Sequence, residues 1–289
     1  MRRLRTGDLA PLLLVALALL LLVAPWMRWG GGEEPRPLEL FARAAELLNR
    51  SVDALKRVTH GLPPGPIPRP GECYDLGRRL VEMARRFSGP DEASKALSRA
   101  SEAYGALAFA ASRFSNTTPL LQRVFPRVRR ALLALAECRV DEALQLYRSV
   151  SGELRRAEHG LSQGLRSLAS ADPRALLSNE HRELRRVSAE DIGALVRGLG
   201  FADAVLRLAE DHRGLFEEAC SGNSTALRAV AGALRGLGVD PSRSGPLAYE
   251  LYAVLNTFAR QGCPSCTSSA GGEGSGGGGA GYAEPTTDD

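Results

Sequence analysis

The chain has 289 residues, of which 44% are apolar and 24% charged, and its formal net charge is +4 at pH 7. This composition is ordinary for a globular protein and excludes a wholly disordered chain, a collagen and a disulfide-dense miniprotein. Because the basic excess is small and spread along the sequence, we expect no nucleic acid among the partners.

The amino terminus has the pattern of a membrane segment. Three arginines within the first five residues precede an uncharged run, rich in Leu, Val and Ala, from Leu9 to Met27. As a helix this run would measure roughly 28 Å, close to the hydrocarbon thickness of a bilayer. Trp26 and Trp29 stand at its far end, where indole rings favour the interface. We therefore predict a transmembrane signal anchor over residues 9–29, with the lipid bilayer as its partner.

The positive-inside rule sets the predicted topology. It places residues 1–8 in the cytoplasm and the chain beyond Trp29 outside, in a single-pass protein of the cell membrane. A cleaved signal peptide is the alternative, although its apolar core is ordinarily shorter and its cleavage site is made of small residues. Ala24 is the nearest small residue here, and Pro25 and a bulky Trp follow it.

The body of the chain is predicted to be all-α. After a linker over residues 30–36, apolar residues follow helical spacing almost continuously, and residues 37–262 form the expected extracytoplasmic domain of about seven to nine helices. The 3,4 spacing is typical of antiparallel bundles and coiled coils, and second apolar stripes favour a bundle within one chain. Residues 263–289 are Gly-rich and predict a disordered, flexible tail.

Turn-forming residues predict where helices begin and end. Gly61 followed by Leu62 and two prolines indicates the end of the first helix. Thr118-Pro119 and Asp172-Pro173 indicate two helix starts, as does a capping-box pattern at Ser188. The longest predicted helix runs from Asp141 to Ser170. Its apolar seam consists of Ala143, Tyr147, Val150, Leu154, Ala157, Leu161, Gly164 and Leu168.

Five cysteines are candidates for disulfides outside the cytoplasm: Cys73, Cys138, Cys220, Cys263 and Cys266. Most of them fall near predicted helix ends, which antiparallel packing brings together, so stapling of loops is the preferred interpretation. The odd number leaves one thiol free or paired between chains. Connectivity is open; proximity along the chain suggests Cys220 with Cys263.

The motif Cys263-Pro-Ser-Cys266 has redox spacing, and a thiol-redox protein is a further alternative. A thioredoxin-type site, however, needs a preceding strand and a following helix, whereas here a predicted helix precedes and a Gly-rich tail follows.

Three Asn-x-Ser/Thr triplets are candidate glycosylation sites, at Asn49, Asn116 and Asn223. Asn116 and Asn223 fall in predicted turns between helices, where a glycan would fit, and helix capping explains them equally well. Asn49 falls within a predicted helix, which makes it the least suitable of the three.

No residue pattern predicts a catalytic, cofactor or metal site. His181 and His212 stand on predicted apolar seams, but neither has the carboxylate-x-x-His spacing of a di-metal bundle. The expected function is therefore a membrane-anchored scaffold or interaction protein of the cell envelope, not an enzyme, without a cofactor, and with other envelope proteins as partners. A module binding a small ligand between helices is the alternative.

Overall fold

Eight α-helices account for most of the part of the chain that the structure describes. The computed structural model describes residues 36–260, and no strand occurs in that range. The helices are α1 (Pro37–Thr59), α2 (Pro70–Arg86), α3 (Glu92–Ala136), α4 (Val140–Ser170), α5 (Asn179–Asp211), α6 (Arg213–Cys220), α7 (Ser224–Gly236) and α8 (Ala248–Arg260). The prediction of an all-α bundle is confirmed for these residues.

The 45-residue helix α3 lies at the centre and α1, α2, α4 and α8 all pack along it. Helices α3 and α4 are antiparallel. Later residues of α3 contact earlier residues of α4, as in the ion pairs Arg130–Glu142 and Arg123–Glu153. Helix α8 runs parallel to α3, since Glu250 meets Arg129 and Thr257 meets Ala136.

Helix α4 confirms the seam predicted from its spacing. All eight predicted seam residues are buried, from Ala143 to Leu168. The α3–α4 contact is close because Gly164 faces the ring of Phe114: a Cβ at Gly164 would lie 2.3 Å from Phe114 Cε1. Small residues at a helix crossing let the two backbones approach in this way.

The predicted helix start at Thr118-Pro119 is wrong. Pro119 and Pro126 both lie inside α3, which runs unbroken past them. The hydroxyl of Thr118 donates to the carbonyl oxygen of Phe114, and both residues are fully buried. An internal proline costs about 3 kcal/mol. Here the burial of α3 against several neighbours outweighs that cost, since most helix stability comes from tertiary packing.

Other predicted boundaries have mixed outcomes. Gly61 ends α1 as expected, with a φ of +74° and a hydrogen bond from Leu62 N–H to the Arg57 carbonyl oxygen. The capping box at Ser188 is wrong, because Ser188 is buried in the middle of α5. Asp172-Pro173 begins only a short 3₁₀ turn, and α5 starts at the Ser178 cap instead.

The predicted membrane anchor over residues 9–29 and the predicted tail over 263–289 lie outside the described residues. Within residues 36–260, no helix combines the length and the apolar character needed to cross a bilayer.

Candidate functional site

A buried carboxylate joins α4 to α5 in what we call the α4–α5 cluster: Tyr147, Arg155, Glu158, Asp203 and Arg207. Asp203 is 6% exposed and Tyr147 is fully buried. The Tyr147 hydroxyl donates to Asp203 Oδ1 at 2.8 Å, and Arg207 Nη2 donates to Oδ2. Arg155 Nε lies 3.5 Å from Oδ1. The carboxylate therefore has donors on both oxygens.

Protonation in this cluster favours a structural role over acid–base chemistry. Burial raises the pKa of Tyr147, and its hydrogen bond to Asp203 raises it further, so the phenol remains a donor at neutral pH. Burial, together with the negative charge of Asp203, also raises the pKa of Glu158. The cluster thus binds α4 to α5 through charge-assisted hydrogen bonds.

A second polar contact lies between α3 and the start of α5. Tyr104 is fully buried, stacks on Phe41 with ring centroids 4.6 Å apart, and accepts a hydrogen bond from the Leu177 N–H at 3.1 Å. Its hydroxyl oxygen lies 2.6 Å from His181 Nδ1. Burial lowers the pKa of His181. His181 is therefore neutral at neutral pH, and its Nδ1 accepts the hydrogen bond from the Tyr104 hydroxyl. This is the role of a hydrogen-bonded histidine in a core.

A third contact seats α8 on α3. Glu250 is fully buried, and both Nε and Nη2 of Arg129 approach its Oε1 at 2.6 Å. Among the described residues no partner binds Glu250 Oε2. Leu251, Val254 and Phe258 of α8 are also fully buried. The ion pair and these apolar residues together define the inward face of α8.

Cys138 and Cys220 form a disulfide that joins the end of α3 to the end of α6, with Cα atoms 5.4 Å apart. The prediction of stapled helix ends is confirmed for this pair, but the suggested pairing of Cys220 with Cys263 is wrong. The pairing of the cysteines follows from the topology and not from proximity along the chain, since the two partners are 82 positions apart in the sequence. Cys263 and Cys266 lie outside the described residues.

Cys73 is a free thiol buried between helices. Burial raises its pKa to about 11, so the thiol is protonated at neutral pH. A neutral, fully enclosed thiol is a poor nucleophile and a poor metal ligand. Its role is that of a small core side chain.

The candidate glycosylation sites fall in different settings. Asn116 is exposed but lies within α3, so its predicted position in a turn is wrong, because α3 does not end before Pro119. Asn223 does lie between helices, and its side chain caps α7 by accepting from the N–H groups of Thr225 and Ala226. Asn49 is exposed in the middle of α1.

The predicted seam position of His212 is wrong. The chain leaves helical geometry there, with φ −123° and ψ 41°, and His212 separates α5 from α6 as an exposed residue. Among residues 36–260, no group of three or more His, Cys, Asp or Glu side chains could hold a metal ion.

A groove between α1 and α5 has a volume of about 260 Å³. Its apolar floor and polar rim consist of Asn49, Val52, Asp53, Lys56, Glu183, Leu184, Val187 and Ser188. Lys56 on the rim pairs with Asp191, with Nζ and Oδ2 2.6 Å apart.

Asp203, Tyr104 and Glu250 were not predicted as site residues. The sequence did contain one signal for the polar contacts. A buried tyrosine on an apolar seam needs a hydrogen-bond partner for its hydroxyl, and both Tyr147 and Tyr104 have one.

Searches of protein-family models, curated proteins and solved structures found no match to this chain.

Proposed function

We propose that the chain is a membrane-tethered interaction protein of the cell envelope, which binds another protein through the outer face of α8. The observation that carries the proposal is a pair of exposed tyrosines. Tyr249 is 72% exposed and Tyr252 is 59% exposed, one helical turn apart. Tyrosine is enriched in protein interfaces and in their energetic centres.

The inner face of α8 packs in the core, and this packing fixes the orientation of the outer face toward solvent. Leu251, Val254 and Phe258 are fully buried, and Glu250 is paired with Arg129. Tyr249 and Tyr252 are therefore presented on a helix that cannot turn them inward without breaking that packing. A rigid helix displaying large, amphipathic rings binds a partner at low entropic cost.

Two further observations support a location outside the cytoplasm. The Cys138–Cys220 disulfide suits an oxidising compartment, where such bonds form and persist. The arginines before the apolar run of residues 9–29 suit an amino terminus held on the cytoplasmic side.

Photo-crosslinking from position 252 tests the proposal. A photoreactive amino acid at Tyr252, in cells that express the full chain, should give one discrete crosslinked protein, and Tyr249→Ala should weaken that product. The matched control is position 74, because Tyr74 is 54% exposed on α2, away from α8. Equal products from positions 74 and 252, or none from 252, would contradict the proposed surface.

The groove between α1 and α5 favours a second candidate, a module for a small ligand. Its volume of about 260 Å³ is just below the usual 300–1,000 Å³ of ligand pockets, so it suits a small molecule with one apolar part. Asp53 and Glu183 on its rim would favour a ligand that carries a hydrogen-bond donor or a positive charge.

Indole is a suitable probe for this second candidate, since it is small, mostly apolar and has one N–H donor. Calorimetry should show saturable binding that Val187→Trp abolishes by filling the groove. Leu38→Trp is the control, because Leu38 is exposed at the start of α1 and does not line the groove. Identical binding by both variants would remove the groove as the site.

A further inference from the structure

Ser188 is an exception among the buried hydroxyl groups of the described residues. It is 1% exposed and lies in the middle of α5. A buried serine within a helix often donates to the carbonyl oxygen four residues earlier, as Ser51 does to Leu47 and Ser101 to Leu97. Within residues 36–260, the Ser188 hydroxyl has neither such a bond nor any other partner. It is therefore available to bind a polar group from outside the fold.

This hydroxyl belongs to the groove between α1 and α5. Ser188 lines the groove together with Val52, Leu184 and Val187, which supply its apolar floor. Val52 is only 4% exposed, so the packing of the two helices closes the floor from below. A molecule on this floor would meet one hydroxyl in apolar surroundings. The floor thus suits a compact apolar body that also carries a polar group.

The α1 rim of the groove carries a carboxylate without an ionic partner. Asp53 is exposed, and no ion pair among the described residues includes it. Two arginines about one turn away on α1 bind elsewhere. Arg50 lies 3.5 Å from Glu46 Oε1. Arg57 Nε donates to the carbonyl oxygen of Pro63 at 2.8 Å. A cation in the groove would therefore meet Asp53 without displacing an existing partner.

The α5 rim of the groove is negative as well. Arg186 Nε donates to Glu183 Oε2 at 3.0 Å, and its Nη1 donates to Glu190 Oε1 at 2.7 Å. One guanidinium therefore serves two carboxylates. Lys56, which also lines the groove, is neutralised by Asp191, with Nζ and Oδ2 2.6 Å apart. Electrostatic complementarity at both rims favours a cation and opposes an anion.

We propose that the groove binds a small organic ammonium ion with a compact apolar body, of the arylalkylamine class. The apolar body lies on the floor of Val52, Leu184 and Val187. A primary ammonium has three N–H donors, which serve both the Asp53 carboxylate and the Ser188 hydroxyl oxygen. This inference rests on the groove as the site of the second candidate function and names its ligand class. It is independent of the α8 surface.

Benzylamine and benzyl alcohol are matched probes, because they share an aromatic ring and only the amine is charged at neutral pH. In the full-length chain, the methyl NMR signals of Val52 and Val187 report occupancy of the groove. The buried Val150 of α4 does not line the groove and supplies the control signal. Benzylamine should bind about two- to fivefold more tightly than benzyl alcohol, as expected for a solvent-exposed ion pair.

The two probes also separate failure of this inference from failure of the second candidate function. Saturable shifts with equal affinities for both probes would overturn the ammonium assignment and leave the groove as a ligand site. If neither probe shifts the Val52 and Val187 signals, both the inference and the second candidate function are overturned.

Variants assign the charge effect to one carboxylate. Asp53→Asn removes the charge with little change in shape and should reduce the affinity for benzylamine to that for benzyl alcohol. Ser188→Ala should weaken benzylamine about two- to tenfold, the effect of losing one hydrogen bond. Asp75→Asn is the control, because Asp75 is exposed on α2 and does not line the groove. An equal loss of benzylamine affinity in the Asp53 and Asp75 variants would overturn the proposal.

A second measurement uses the unmodified chain and so does not depend on how the variants fold. Raising the salt concentration from about 0.01 M to about 1 M shortens the Debye length roughly tenfold and screens an exposed ion pair. The affinity for benzylamine should then fall toward that for benzyl alcohol, whose own affinity should stay constant. A benzylamine affinity that does not respond to salt would overturn the proposal.

Discussion

The hydroxyl of Tyr147 donates a hydrogen bond to the carboxylate of Asp203 inside the interface of α4 with α5, at 2.8 Å. Both groups are buried, and Arg155 and Arg207 approach the same carboxylate from the solvent side. A hydrogen bond of this kind contributes more than a neutral one, because the acceptor is charged and water is excluded.

Tyr147→Phe should lower the free energy of unfolding by about 1.5–3 kcal/mol, the usual range for a hydrogen bond to a charged group. Chemical denaturation measures the change. The double variant Tyr147→Phe/Asp203→Ala should lose less than the sum of the two single variants, by roughly 0.5–3 kcal/mol. Tyr252→Phe is the control, because its ring is exposed. Strict additivity of the two losses would show that the contact contributes nothing.

Two glycines of α4 should respond in opposite directions to the same substitution. Gly164→Ala should destabilise the protein by about 1–3 kcal/mol, because the new Cβ would lie 2.3 Å from the buried ring of Phe114. Gly152→Ala should stabilise it by about 0.5–1 kcal/mol, since nothing lies within 4 Å and alanine favours the helix. Thermal denaturation measures both, and two shifts of the same sign would contradict the close α3–α4 contact.

The free energy of unfolding should fall as the pH drops below about 6.5, and protonation of His181 should account for part of this fall. Burial lowers the pKa of this histidine in the folded state, so in that window the unfolded chain binds more protons and acid favours unfolding. The measurement is the free energy of unfolding of the wild type and of His181→Gln at about pH 7.5 and pH 5. His159→Gln is the control, because His159 is exposed. The wild type and His181→Gln should differ in slope, and parallel pH profiles would disprove the assignment.

The disulfide closes a long loop, and its removal should cost about 2–5 kcal/mol. The size of the loss should depend on what replaces Cys138, because this residue has a φ of +59°. Cys138→Gly/Cys220→Ser should be more stable than Cys138→Ala/Cys220→Ser by about 1 kcal/mol, since glycine adopts the left-handed conformation without a Cβ clash. Equilibrium denaturation in urea compares them; a more stable alanine variant would rule out this account.

Helical periodicity predicted those parts of the fold that depend on burial along one helix. The seam of α4 and the end of α1 at Gly61 are both local properties, readable from spacing and from turn residues. Pro119 was misread because its local cost is outweighed by packing against helices that the sequence does not identify. His212 was misread because one non-helical residue ends the 3,4 spacing, and the seam does not continue across it.

The candidate sites depended more on topology than on pattern. Cys138 and Cys220 were predicted to lie at helix ends, but their pairing required knowing that the end of α6 returns to the end of α3. Asp203 was missed for a similar reason. From the sequence alone, an acidic residue in a helix is expected to be solvated. Only the packing of α4 against α5 shows that Tyr147 and Arg155 contact Asp203, together with Arg207 of its own helix.

The length of α3 sets a distance within the protein. Phe41, near the start of α1, stacks on Tyr104 of α3, and 34 residues of chain lead from there to Cys138. At about 1.5 Å per residue, that stretch measures about 50 Å. The Phe41–Tyr104 stack and the disulfide therefore lie about 50 Å apart along α3, so a change confined to one of them is remote from the other.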